Sequence, residues 1–145
     1  MKIWIQKSSI FLFAGFLYGV GQFFASPQWF GYCQARPYES SLCLADTAVG
    51  TGWPLIAAGQ ILAIAGLILL FANREGLRKW LWMSAVYLPL GALIVLNIPT
   101  ESHAWAISLT PSREHATWLL GYLYILTTLL IVLWGWWKGK HSRPI

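Results

Sequence analysis

Four side chains suited to metal or proton chemistry lie close together in the sequence. Glu101 and His103 are separated by one residue, and Glu114 and His115 are adjacent. Neutral imidazole binds zinc, copper, nickel or iron and moves protons near neutral pH. A carboxylate beside it serves as a further ligand or orients the ring. These four are therefore the candidate catalytic residues, and His103, His115 and Glu114 are the candidate metal ligands. The spacing matches no His-Glu-x-x-His pattern. An ordinary polar loop explains the same residues without a ligand, because Glu114 in the first turn of a helix interacts favourably with the helix dipole. The chemistry depends on convergence: both imidazoles must reach one pocket with at least one of the carboxylates.

The remaining reactive residues are Cys33 and Cys43, the only cysteines in the chain. They are too far apart for the Cys-x-x-Cys spacing of a redox centre. An even count in an oxidising compartment reads as one structural disulfide. Closing a loop of this size contributes about 2–3 kcal/mol in the chain-entropy account. No P-loop, dinucleotide fingerprint or Gly-x-Ser-x-Gly elbow is present.

The elements that position these groups follow from composition. Hydrophobic residues make up 57% of the 145 residues and charged residues only 10%. Soluble domains carry about 25% charged residues, so a water-exposed surface cannot be built from this chain. Lipid as the solvent removes that difficulty. Ten Trp and six Tyr suit the two membrane interfaces, where a ring with a polar tip meets both phases. The net charge of +5 sits in short clusters flanking apolar runs, which argues for membrane topology and against a nucleic-acid partner.

A membrane-spanning helix needs roughly 20 mostly apolar residues. Residues 8–25, 53–72, 80–98 and 117–137 qualify, and none of these windows contains an ionisable side chain. The first reads as a retained anchor, because Phe23-Phe24-Ala25 lacks the small residues of a cleavage site. Pro54 and Thr110-Pro111 open the second and fourth helices. Pro89 removes one backbone bond inside the third and predicts a kink there. Lys2, Lys7, Arg74, Arg78, Lys79, Lys138, Lys140 and Arg143 fall on the side of the termini, against only Arg36 and Arg113 on the other. That asymmetry predicts cytoplasmic termini. Glu39, Asp46, Glu101 and Glu114 then face outward, with Glu75 inward.

The expected fold is an all-α integral membrane protein: one domain over residues 1–145, a four-transmembrane-helix bundle with N-in/C-in topology and two outward-facing loops. Between helices in lipid, association comes from close packing of small residues rather than from burial out of water. Gly15 and Gly19 on the first helix, with Gly59, Ala63 and Gly66 on the second, are the expected packing positions. Spans without charge argue against proton relays and ion-coupled transport. Short loops without an Asn-x-Ser/Thr sequon suit a bacterial inner (plasma) membrane. The expected function is a non-catalytic accessory or interaction subunit of a membrane assembly. Its partners are membrane lipid and a larger membrane protein or further copies of itself. The alternative is an outward-facing enzyme or binding protein acting on a lipid, quinone or metal ion through the Glu101, His103, Glu114 and His115 cluster.

Overall fold

A computed structural model describes residues 2–26, 31, 45–98 and 113–141 of the chain. The described secondary structure is entirely helical. Helix α1 is Lys2–Ala25, α2 is Trp53–Leu69, α3 is Arg74–Asn97 and α4 is Arg113–His141. A π-helical segment, Ala45–Gly52, runs directly into α2. Four helical stretches are long and apolar enough to cross a membrane.

The helices differ from the apolar windows at their ends, and the reason is physical. A hydropathy window stops at the first charge, whereas a helical backbone continues through it, because Lys, Arg and Glu are good helix formers. Thus α1 begins at Lys2, α3 at Arg74 and α4 at Arg113. In contrast, α2 stops at Leu69, three residues before the end of its apolar window. The turn at Leu70 and Phe71 must reverse the chain into α3. Pro54 lies in the first turn of α2 as expected, since the missing N–H costs nothing there. Pro89 lies inside α3, and the helix is continuous from Arg74 to Asn97. Thr110 and Pro111 lie outside the described residues.

Close helix contacts run in series, α1 on α2, α2 on α4 and α4 on α3, and the π-helical segment packs on α1. Within its apolar window α2 is 56% buried, whereas α1 and α3 are each 11% buried. Helix α2 is therefore central, and the two flanking helices present most of their surface outward. That surface is apolar: Leu12, Phe13 and Phe16 on α1, and Leu90, Leu93 and Leu96 on α3, are all exposed. A continuous core joins Ala14, Ile61, Leu62, Ala65, Leu69, Leu77, Trp80, Tyr124 and Val132. An outside as apolar as the inside is what a lipid-solvated chain requires, because lipid does not penalise an exposed Leu.

The α1–α2 contact uses the expected Gly59 and Gly66 on α2 but other small residues on α1. A methyl group placed on Gly59 would lie 2.8 Å from Tyr18 N and 2.9 Å from Ala14 O, so Gly59 lets the two backbones touch. Gly21 approaches the Ile56 backbone in the same way, and Gly66 lies under the Phe11 ring. Ala63 is half-buried and packs on the core. Gly15 and Gly19, expected at a helix contact, face open space with nothing within 4 Å of an added methyl. The reason is angular. Ala14, Tyr18 and Gly21 form the stripe that meets α2, and one residue further along an α-helix turns ~100° away from it.

Candidate functional site

The end of the molecule opposite the termini is organised by Arg113, the first residue of α4. Its Nε donates to Ile98 O at 2.7 Å, Nη2 to Leu96 O at 3.2 Å and Nη1 to Gly50 O at 3.2 Å. Two of these carbonyls belong to the C-terminal end of α3, where no intrahelical N–H is left to pair them. The third has a different origin. Gly50 O lies in the π-helical segment, just ahead of its junction with α2. One planar guanidinium thus ties the start of α4 to the end of α3 and to the π-helical lead of α2. Its fixed fork of donors suits that task better than a flexible ammonium.

Arg113 also fixes the chain on which the candidate cluster sits. Its bond to Ile98 O holds together the two residues that bound segment 99–112. Glu114 and His115 follow directly in the first turn of α4, Glu114 half-exposed and His115 exposed. Glu101 and His103 lie outside the described residues, as do Cys33 and Cys43. The structure therefore gives the positions of Glu114 and His115 alone. Among the described residues no group of three or more His, Cys, Asp or Glu side chains is arranged to hold a metal.

A second set of polar groups lies between α3 and α4. Trp80 Nε1 donates to Thr128 Oγ1 at 3.1 Å, and Thr128 Oγ1 donates to Tyr124 O at 2.8 Å. The hydroxyls of Ser84 and Tyr124 share a hydrogen bond of 2.8 Å, and Tyr87 OH donates to Leu120 O at 2.8 Å. The Tyr87 and Tyr124 ring centres are 5.3 Å apart. Among the described residues, every buried side-chain nitrogen and oxygen has a partner. This network holds two helices together and offers no free group to a ligand or a moving ion. Trp80 and Tyr124 carry it, and neither stood out in the sequence. The signal was there: Trp80, Ser84 and Tyr87 recur at helical spacing on α3, and Tyr124 and Thr128 on α4.

A third set is unsatisfied. Gln60 stands near the middle of its span, residues 50–69, with its side chain exposed. It has no hydrogen-bond partner among the described residues, and neither have the exposed Gln22 and Tyr18. The contact of Gly59 with Ala14 and Tyr18 places Gln60 level with Gly15 and Tyr18 on α1. Helices α1 and α2 are antiparallel, so a step of one residue from the shared contact stripe turns both toward the same side. Gln60 and the open Gly15, Gly19 and Gln22 thus share one face of the α1–α2 pair.

Compared with known proteins, the chain matches no family model, no curated protein and no solved structure.

Proposed function

We propose that this protein is a non-catalytic accessory subunit of a membrane assembly, docked to a partner helix through the shared α1–α2 face. The observation that supports the reading is Gln60, an exposed carboxamide at mid-span without a partner. Hydrocarbon supplies no hydrogen bonds, so an amide there requires a protein group opposite it. Gly15 and Gly19 at the same depth leave room for a second backbone to approach closely. In this reading the chain lies in a bacterial inner membrane with both termini cytoplasmic, and Cys33 and Cys43 pair as a disulfide on the outer side. Purification of the full chain in mild detergent tests it. A larger membrane protein, or a second copy, is expected to accompany the wild type and to dissociate in G15L/Q60L. A protein that purifies alone, with G15L/Q60L as stable as the wild type, would sink the proposal.

A second reading rests on Arg113. Arg113 ties residues 98 and 113, which flank segment 99–112, and Glu114 and His115 follow it directly on α4. An outward metal, lipid or quinone site would then use Glu101, His103, Glu114 and His115. Zinc or copper binding by the purified protein, lost in H103A/H115A with the helical content intact, is the expected result. No metal binding by the wild type removes this reading.

A further inference from the structure

The end of the molecule that carries the termini is rich in cations, and the structure divides them into two kinds. Lys7 is engaged: its Nζ donates to Leu70 O at 2.9 Å and to Ala72 O at 3.1 Å, capping the C-terminal end of α2. Lys79 and Lys138 are engaged as well. Both ammonium groups pair with the Glu75 carboxylate, at 3.5 Å and 3.3 Å, and Lys79 also lies 5.5 Å from the Trp134 ring centre. Arg74 and Arg78 are different. They stand four residues apart on α3, both exposed, with no partner among the described residues.

One more turn along the same face comes Trp82, 71% exposed. Residues 74, 78 and 82 form a ladder down one side of α3, from charge to amphipathic ring. At a membrane surface this ladder has a natural depth. The guanidiniums sit at the phosphate layer and the indole sits below them, where a ring with one polar edge is most stable. The nearest carboxylate, Glu75, is already taken by two lysines, so it does not compete for the arginines. Two guanidinium forks side by side match a phosphodiester oxygen pair better than any other common group in that layer.

We propose that Arg74 and Arg78 form a binding site for the phosphate of an anionic phospholipid, with Trp82 packed against its glycerol-ester region. The site needs only the end of the helix at the headgroup layer, and it does not depend on which compartment that end faces or on the docking of a partner to α1 and α2. The experiment uses full-length protein in nanodiscs of zwitterionic lipid doped with phosphatidylglycerol, with retained lipid read by native mass spectrometry. The wild type is expected to retain phosphatidylglycerol in preference to phosphatidylcholine. R74Q/R78Q is expected to bind it about thirtyfold less well, at roughly fivefold per cation. E75Q/K79Q/K138Q removes the engaged lysines together with their carboxylate, so that no freed Glu75 competes for the arginines, and is expected to keep the preference. Equal loss in both variants would overturn the proposal, because a diffuse field would then explain retention. Displacement of the lipid by millimolar inorganic phosphate would also overturn it, by showing a site for free anions.

Discussion

The two ends of this molecule are fastened in different ways. At the end carrying the termini, the chain passes from α2 to α3 within residues 70–73, and several residues tie it down. Lys7 holds Leu70 O and Ala72 O. Asn73 is the N-cap of α3, accepting from Gly76 N at 2.7 Å, while its Nδ2 donates to Gly135 O on α4 at 2.9 Å. The approach is close, since a methyl on Gly135 would lie 3.0 Å from Asn73 Oδ1. At the opposite end, Arg113 makes three ties at once, to α3 and to the lead of α2. A compact end with shared fastenings tolerates the loss of one of them. An end where three ties meet in one side chain is more sensitive to its loss.

The largest single effect is therefore expected at Arg113. R113M leaves three carbonyls without their donor, and we expect a loss of about 2–3 kcal/mol, in the range of a few charge-assisted hydrogen bonds discounted for partial exposure. R113K is expected to recover little of it, because one ammonium cannot span the three acceptors. Thermal unfolding in detergent measures both. If R113M unfolds at the wild-type temperature, the contrast between the ends collapses.

Asn73 supplies the next test. N73A removes an N-cap, about 1 kcal/mol, and a hydrogen bond to Gly135 O, about 1 kcal/mol more. Its effect is expected to be smaller than that of R113M, with Lys7 still in place. Hydrogen exchange sharpens the distinction: N73A should speed exchange at the first turn of α3 only, and R113M at the start of α4 and along the π-helical segment together. Uniform acceleration across the chain in either variant would contradict separate fastenings.

The smallest effect is expected at Glu75, whose contacts with Lys79 and Lys138 are exposed ion pairs. E75Q should leave the unfolding temperature unchanged within error at physiological salt, as most such pairs do. A marked destabilisation would mean that the terminal end depends on charge, and that its division into engaged and unengaged cations needs revision.

The sequence carried the number and rough placement of the helices, because an apolar run without charge has few alternatives to a spanning helix. It carried less about helix ends, since the charges that close a hydropathy window leave the backbone free to continue, as Lys2–Lys7 and Arg113–Ala116 do. Packing was harder to read. Gly15 and Gly19 have the spacing of a contact stripe, yet spacing cannot choose between adjacent stripes one residue apart, and Ala14 and Gly21 took the position against α2. Of the candidate cluster, only Glu114 and His115 fall on described helix. Arg113 beside them was read only as a charge on the outer side. Its role depends on carbonyls distant in sequence, Gly50 O above all, which no local pattern around Arg113 announces.

That distance has a consequence in time. Gly50 leaves the ribosome 63 residues before Arg113, and Asn73 comes 62 residues before Gly135. Helix α3 meets its close neighbour only when α4 arrives, and the same helix brings the donor for one end of the molecule and the acceptor for the other. Until then the nascent chain holds an α1–α2 pair and an unaccompanied third helix. The last helix therefore acts as the closing event of biogenesis, and a chain truncated before Arg113 would present a protease with an unfinished structure at both ends.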